Sequence, residues 1–204
     1  MSTTQTIEDA IKKKTAGELF FPSDFRFAGS EGAIKMALSR LVKEGGIKRI
    51  AHGIYYVPTY NHIVGDVLPS LDEIAEAIAK RDHATIKPAG SYALNKLGLS
   101  TQVPMKQVYF TNGQHRTIKV GKGEIKFKSA SHRKLALQGK ISSLVVLALD
   151  ELGPDSVDDT MRNQIREVLK KEDPDILEAD AKLATGWIHD FLYNLVKKGQ
   201  AKNI

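Results

Sequence analysis

Cysteine is absent from the 204 residues of this chain. Without thiols the chain can form neither disulfide bonds nor thiolate metal sites, and it has no cysteine nucleophile. Long apolar runs are also missing, because the longest, Leu144–Leu149, is far shorter than the roughly 18 residues that cross a membrane. The first residues, MSTTQTIEDAIKKKT, carry charges where a signal peptide has its apolar segment. We therefore expect a cytoplasmic protein without membrane contact.

The motifs of several enzyme classes are missing too. The chain has no GxxxxGKS phosphate-binding loop and no GxSxG elbow, and the glycines at 121 and 123 lack the third glycine of a dinucleotide motif. The six histidines lie at positions 52, 62, 83, 115, 132 and 189, and no two share the helical spacing of three or four that a metal site uses. The sequence therefore predicts no enzyme, no catalytic residue, no metal and no cofactor.

Acidic residues are unevenly distributed. The chain carries a net charge of +6, with +3 over residues 1–60, +7 over 61–140 and −4 over 141–204. No Asp or Glu lies between Asp82 and Glu124. A positive first two-thirds is expected if that part binds a polyanion. The alternative is a chance scatter of solvated lysines.

The first 30 residues show the pattern of short helices. Thr4 or Thr6 can cap a first helix that runs to about Lys14. Ser23 or Asp24 can cap a short second helix, after which the chain turns.

The third predicted helix has two distinct faces. It begins after Ser30, a favourable N-cap residue, and ends before Gly45. Its apolar residues recur at the spacing of one helical face: Ile34, Ala37, Leu38, Leu41 and Val42. The opposite face and its flank collect basic, polar and apolar side chains without an acid: Lys35, Met36, Ser39, Arg40 and Lys43. One face is suited to a core and the other to an anionic ligand.

A β-hairpin is predicted directly after this helix, with strands near Ile47–Ile50 and Ile54–Val57. Three short helices and a hairpin within 60 residues are typical of a winged helix-turn-helix, in which the third helix enters the DNA major groove. The hairpin, or wing, would place Lys48, Arg49 and His52 against the adjacent backbone or minor groove. A winged helix that makes only protein contacts is the alternative.

Residues 61–70 are predicted to form a linker, because Gly65 and Pro69 interrupt any regular pattern. The domain beyond it, 71–204, contains three strand-like segments, KQVYFT, RTIKV and GEIKFKS, joined by glycine-containing turns at 112–114 and 121–123. We predict a small antiparallel sheet of these strands, followed by helices, the last a single long helix over 173–198. The predicted fold class is α+β, with an N-terminal winged helix-turn-helix over residues 1–60.

A second basic face is predicted on these strands. It comprises Lys119, Lys122, Lys126 and Lys128. Each lysine set against a phosphate releases a counterion and strengthens nucleic-acid binding. Because lysines alternate with apolar residues along the strands, ordinary solvent exposure explains the pattern equally well.

Two other functions are compatible with the second domain. The segment from Met105 to Ser129 would be an RNA-binding platform if Tyr109, Phe110 and Phe127 stacked on bases. The triplet Glu124-Ile125-Lys126 resembles half of a restriction-type nuclease site, but such a site needs another acid from a neighbouring strand. The acid-free interval that precedes Glu124 makes this nuclease interpretation the weaker of the two.

Three stretches resemble a known family: KTAGELFFPSDF, GSEGAIKMALSRLVKEGGIKRIAHGIYYVP, and SYALNKLGLSTQVPMKQVYFTNGQHRTIKVGKGEIKFKSA. They resemble the AbiEi-like antitoxins, and most closely the branch described as DUF6088 proteins. The resemblance extends over residues 5–150. Its most specific parts are Leu41–Pro58 and the LGLSTQVP turn.

The resemblance implies a two-domain antitoxin of a type IV toxin-antitoxin or phage-defence pair. In that family the winged helix binds operator DNA and represses the operon, while the C-terminal domain opposes a nucleotidyltransferase toxin. Paired recognition of inverted repeats implies two protomers on one operator. The residues that match the DNA-binding motif are those of the third helix and the wing: Lys35, Met36, Ser39, Arg40, Lys43, Lys48, Arg49 and His52.

Overall fold

The computed structural model describes residues 2–62, 65–101 and 104–200. Helices and small sheets are combined in one chain, so the predicted α+β class is confirmed. The chain divides into two compact units, Met1–Arg81 with Ile118–Lys122, and Asp82–Thr117 with Gly123–Ile204. This division falls beyond the linker predicted over 61–70. Within the described part of the chain, no helix is long and apolar enough to cross a membrane.

The first helix, α1, spans Thr3–Ile11. Its N-cap is Ser2, whose hydroxyl accepts a hydrogen bond from the backbone N–H of Gln5 at 3.2 Å. The predicted caps Thr4 and Thr6 lie inside the helix, so that prediction is wrong. A serine with extended backbone directly before the first turn satisfies one of the free N–H groups there.

The second helical segment is a 3₁₀-helix, Pro22–Ala28. Asp24 acts from inside this helix, because its carboxylate accepts a hydrogen bond from the N–H of Phe21 at 2.9 Å. Neither Ser23 nor Asp24 is the N-cap residue, which is Phe21. The segment buries the ring of Phe25 in the core of the first unit.

Helix α2 spans Glu31–Lys43 and follows the sequence prediction closely. Ser30 is its N-cap and accepts a hydrogen bond from the N–H of Ala33 at 3.3 Å. Val42 is partly buried, and the other residues of the apolar face are buried, namely Ile34, Ala37, Leu38 and Leu41. Burial of each large side chain contributes about 1.5–3 kcal/mol, which fixes the rotation of the helix about its axis.

A three-stranded antiparallel sheet accompanies these helices. Its strands are β1, Leu19–Phe20, β2, Lys48–Ala51, and β3, Ile54–Tyr56, in the order β1-β3-β2. The predicted hairpin is therefore present, and β1, from between the first two helical segments, adds to it. His52 and Gly53 form the turn, where Gly53 has a φ of +71°, a conformation that glycine adopts without steric cost.

The segment after the hairpin is structured, in contrast to the predicted linker. Strands β4, Thr59–Asn61, and β5, Gly65–Val67, pair antiparallel, and helix α3 spans Leu71–Arg81. Ser70 and Glu73 cap α3 reciprocally: the Glu73 carboxylate accepts from the Ser70 N–H at 2.7 Å, and the Ser70 hydroxyl accepts from the Glu73 N–H at 3.2 Å. Regular structure thus fills most of the interval from 59 to 81.

A four-stranded sheet contains the predicted strands in an unexpected arrangement. Its strands are β6, Ile86–Pro88, β7, Lys106–Thr111, β8, Arg116–Val120, and β9, Gly123–Ser129, in the order β6-β7-β9-β8. Strands β7 and β9 are parallel, and β6 pairs antiparallel with the other side of β7. The predicted small sheet is therefore present, but β7 and β8 do not form the expected hairpin, and the β7–β9 pair is parallel where antiparallel pairing was predicted.

The turn after β7 does not lead into a β7–β8 hairpin. The side-chain oxygen of Asn112 accepts a hydrogen bond from the N–H of Thr85 at 2.8 Å, just before β6. A Cβ placed on Gly113 would lie 2.8 Å from Cβ of Ala84, so the turn packs closely against this segment. Asn112 and Gly113 thus contact the segment before β6, and β8 does not pair with β7.

The second unit is otherwise helical. The prediction of one long last helix is wrong, because Ala184 is extended and Gly186 has a φ of +51°, which separates α8 from α9. The two pack together around a core that includes Ile188. The helices of the second unit are α4, Gly90–Lys96, α5, His132–Ala136, α6, Ser142–Leu152, α7, Asp159–Leu169, α8, Pro174–Leu183, and α9, Gly186–Gln200, with a 3₁₀ turn at Pro154–Ser156.

Two carboxylates hold the start of α6. Asp180, fully buried, accepts hydrogen bonds from the backbone N–H groups of Gln138 at 2.7 Å and Gly139 at 3.0 Å, and from the Ser142 hydroxyl at 2.6 Å. Glu172 accepts from the N–H of Ile141 at 2.6 Å and of Ser142 at 2.9 Å. These acids take the place of an N-cap side chain, which Ile141 does not supply.

The Glu172 interaction predicts a pH-dependent contribution to stability. Partial burial acts to raise its pKa, but hydrogen bonds from Ser142, Ile141 and Asp173 outweigh it, and the pKa lies below 4.5. Because the folded state favours the ionised carboxylate of Glu172, this group stabilises the protein above pH 4.5. That stabilisation is lost as the pH falls through the folded-state pKa and the carboxylate becomes protonated. We expect Glu172→Gln to lower the free energy of unfolding by about 1.5 kcal/mol at neutral pH.

The measurement is urea denaturation at a series of pH values. The difference in unfolding free energy between wild type and Glu172→Gln should be largest above pH 4.5 and should shrink in more acidic solution. A difference that stays constant from neutral pH into the acid range would contradict this assignment.

Candidate nucleic-acid interface

The outward face of α2 carries the residues that the sequence singled out. The buried apolar stripe turns this face to solvent, and Met36 is 76% exposed. The side chains of Lys35, Met36, Ser39, Arg40 and Lys43 are all exposed. We call these five residues the α2 outer face.

Acidic residues flank this face at both ends. Nζ of Lys35 lies 2.5 Å from a carboxylate oxygen of Glu31, and a hydrogen bond from Lys35 lowers the pKa of Glu31. Nε of Arg40 lies 3.8 Å from Glu44. Lys43 makes no ion pair with any residue that the structure describes. These pairs are exposed and weak, so the cations remain available to an anionic ligand.

The predicted wing residues lie on the β2–β3 hairpin. Arg49 and His52 are exposed, and the Arg49 guanidinium lies 2.9 Å from Nδ1 of His52. Nε of Arg49 also donates to the backbone oxygen of Ala51 at 3.2 Å. These contacts hold the arginine close to the hairpin turn.

Lys48, the third predicted wing residue, is engaged within the first unit. Its ammonium group forms an ion pair with the carboxylate of Asp66 on β5, and this hydrogen bond raises the pKa of Lys48. No feature of the sequence indicates this contact, because Asp66 falls within the predicted linker. Lys48 therefore reaches a phosphate only after the ion pair opens.

Arg26 is a further basic residue that the sequence reasoning missed. It is exposed on the 3₁₀-helix and lines a groove together with Glu31 and Ile34 at the start of α2. Its charge adds to that of Lys35 in lowering the pKa of Glu31. The signal in the sequence was a cation on the helix that precedes α2.

The four lysines predicted as a second basic face are divided between the two units. Lys119 and Lys122 are exposed and lie in the segment 118–122 that clusters with the first unit. Lys126 and Lys128 are partly exposed on β9 in the second unit. The four lysines therefore do not lie on a single unit.

The rings proposed for RNA stacking are covered. Tyr109 and Phe127 are each 2% exposed, and they pack on each other with ring centroids 5.9 Å apart. Phe110 is partly buried against the helical core, with Nζ of Lys134 at 4.7 Å from its ring centroid. The stacking surface that the RNA hypothesis requires is therefore not presented by these three residues.

The triplet Glu124-Ile125-Lys126 also has a structural explanation. Glu124 stands beside Lys106 in the parallel β7–β9 register, and its carboxylate lies 2.8 Å from Nζ of Lys106. Among the residues that the structure describes, no group of three or more acidic or histidine side chains is arranged to bind a metal ion. Glu124 serves a cross-strand ion pair.

The fold and the exposed residues define a class of α+β protein in which a basic helix face and a β-hairpin adjoin in the first unit. The chain belongs to the family of unknown function DUF6088, whose model matches residues 6–177. It is also similar to the crystal structure of the RV2827C protein from Mycobacterium tuberculosis, with a TM-score of 0.46 and 11% identity, over 96% of this chain and 81% of that one. No curated protein matches the chain.

Proposed function

We propose that the first unit is a winged helix-turn-helix that binds duplex DNA. The order of its elements supports this proposal: helix, short strand, helical turn, helix and hairpin. The short strand β1 joins the hairpin in a sheet of order β1-β3-β2. In a helix-turn-helix the second helix of the motif lies in the major groove, and α2 is the helix that would take this role here.

The observation that carries the proposal is the orientation of α2. Its apolar stripe is buried in the core, and its basic residues are on the opposite side, where they are exposed. Exposed arginine and lysine on a helix that fits the major groove provide both phosphate contacts and hydrogen bonds to guanine. Arg49 and His52 on the hairpin would then contact the adjacent backbone.

We further propose that the protein is a transcriptional autorepressor and the antitoxin of an AbiE-like type IV toxin-antitoxin or phage-defence system, and not an enzyme. The support is the resemblance of Leu41–Pro58 and the LGLSTQVP turn to AbiEi-like antitoxins. Its partners would be an operator, bound as an inverted repeat by two protomers, and a nucleotidyltransferase toxin. In this proposal, binding of the protein to its operator limits expression of both the antitoxin and the toxin.

The first experiment is selection of duplexes from a random-sequence library by the full chain, followed by fluorescence anisotropy on the enriched duplex. We expect saturable binding that weakens steeply with salt, because phosphate contacts release counterions. Single-stranded RNA is the competitor. Displacement of the duplex by RNA at equal or lower concentration, or no enrichment at all, would contradict the proposal.

The antitoxin part needs a separate test in cells. A nucleotidyltransferase gene beside this one should stop growth when expressed alone and should be tolerated when this chain is coexpressed. The variant Arg40→Ala/Lys43→Ala should still protect if the second unit opposes the toxin, while a reporter under the operon's promoter becomes derepressed. If this variant lost protection but the reporter stayed repressed, the roles proposed for the two units would be wrong.

The Lys48–Asp66 ion pair gives a prediction with the opposite sign. Asp66→Asn removes the carboxylate that holds Lys48, so the lysine becomes available to a phosphate. We expect the affinity for the enriched duplex to rise about two- to fivefold, and the slope of log affinity against log salt to steepen by about 0.9.

Glu76→Gln on α3 is the matched control, since it removes one exposed negative charge from the same unit. It should change the affinity only through net charge, to a smaller extent and with no change in slope. Equal effects of the two substitutions would show that Asp66 does not hold Lys48 away from DNA.

A further inference from the structure

We infer that Met36 reads the methyl group of a thymine in each DNA half-site. This inference rests on the proposed function and names the base contact made by the middle of α2. The charged residues around it account for attraction to DNA but leave that contact unassigned. An apolar side chain in the major groove is suited to the C5-methyl group that distinguishes thymine from the other bases.

The position of Met36 on the helix supports this role. Gly32, Met36, Ser39 and Lys43 follow one another at spacings of four, three and four residues, so they form one stripe along the exposed side of α2. Met36 is the long apolar side chain of that stripe. The other large apolar residues of the helix are buried or partly buried in the core.

The neighbours of Met36 in the stripe are small. A Cβ added to Gly32 would meet no atom within 4 Å, so the surface there is open. Ser39, one turn further on, has a short side chain. Met36 therefore projects beyond both of these neighbours on the exposed side of α2.

The charges around Met36 favour a contact between Met36 and a base over a contact with the phosphate backbone. Lys35 and Arg40 lie on either side of the stripe and are suited to the two phosphate backbones or to guanine. A thioether has no charge to offer a phosphate. Removing a methyl group from water against it strengthens binding by about fourfold, which is enough to favour thymine at one position.

The test uses the duplex enriched by the wild-type chain. Each thymine is replaced singly by deoxyuridine, which removes only the C5-methyl group, and affinities are measured by anisotropy. We expect one thymine in each half-site at which deoxyuridine lowers wild-type affinity about fourfold. Met36→Ala should bind the unmodified duplex about fourfold more weakly and should no longer distinguish thymine from deoxyuridine at that position.

Met105→Ala is the matched control, because Met105 is also exposed, at 63%, but lies in the second unit. This variant should keep the wild-type response to deoxyuridine. The inference is overturned if wild type binds the enriched duplex and no deoxyuridine lowers its affinity, or if Met36→Ala keeps the same sensitive thymine. Failure of the wild type to enrich any duplex is a different result and refutes the proposed function itself.

Discussion

Changing Arg40 and Lys43 together to alanine is expected to lower the affinity for the enriched duplex about a hundredfold. Both side chains are exposed, and Lys43 has no ion-pair partner among the described residues. If each makes one contact to a base edge or a phosphate, the two losses multiply. The slope of log affinity against log salt should fall by about 1.8 if both contacts are to phosphates. Anisotropy titrations at several salt concentrations measure both quantities.

The control for this variant is Lys170→Ala/Lys171→Ala, which removes two exposed cations from the end of α7 in the second unit. It should bind DNA like the wild type. Because neither Arg40 nor Lys43 contributes to the core, the circular dichroism spectrum and midpoint of unfolding should be unchanged in both variants. Unchanged affinity of Arg40→Ala/Lys43→Ala at moderate salt would mean that α2 is not the recognition helix.

Asp180→Ala is expected to destabilise the second unit by about 3 kcal/mol or more. The carboxylate is fully buried and accepts three hydrogen bonds, two from the loop before α6 and one from the Ser142 hydroxyl. Alanine would leave the buried N–H of Gly139 without this acceptor and the Ser142 hydroxyl with only Glu172, 3.3 Å away, and each lost acceptor for a buried donor costs about 1–3 kcal/mol. The start of α6 would lose one of the two acids that hold it.

Trp187 makes this effect measurable in the full chain. It is the single tryptophan, and it packs against the core of the second unit, so its fluorescence follows the unfolding of that unit. Asp175→Ala is the control on the same helix, because Asp175 is exposed in the first turn of α8. It should cost no more than about 1 kcal/mol through the helix dipole. Equal urea midpoints for the two variants would refute the role given to Asp180.

Elements governed by local pattern were predictable. Helix α2 begins at the expected cap, Ser30, and buries the expected face, because an amphipathic repeat and an N-cap residue act within a few residues of each other. The hairpin from Lys48 to Tyr56 was also predictable, because its two strand-like runs and the turn between them lie within a few residues of each other. At α1 the predicted caps, Thr4 and Thr6, are wrong and Ser2 is the N-cap, because Ser and Thr are both favourable N-cap residues and the local pattern does not show where the helix begins.

Elements that depend on distant partners were not predictable. The sheet order β6-β7-β9-β8 places β9 between β7 and β8, and the nearby hydrogen bond between Asn112 and Thr85 links residues that lie 27 apart in the chain. The hydrogen bonds from the start of α6 to Asp180 and Glu172 join residues that lie 30–42 positions apart in the chain. Asp and Glu before or within a helix look alike in sequence whether they face solvent or a buried loop.

The candidate site divides in the same way. Its members on α2 were identified from sequence, because the buried stripe of one helix determines which residues lie opposite. The pairing of Lys48 with Asp66, and the position of Arg26 beside the first turn of α2, needed the folded chain. By itself the sequence determined the amphipathic elements and the two faces of α2. The tertiary structure alone decided strand order, which cations are already paired and which acids are buried, since these depend on groups that only folding brings together.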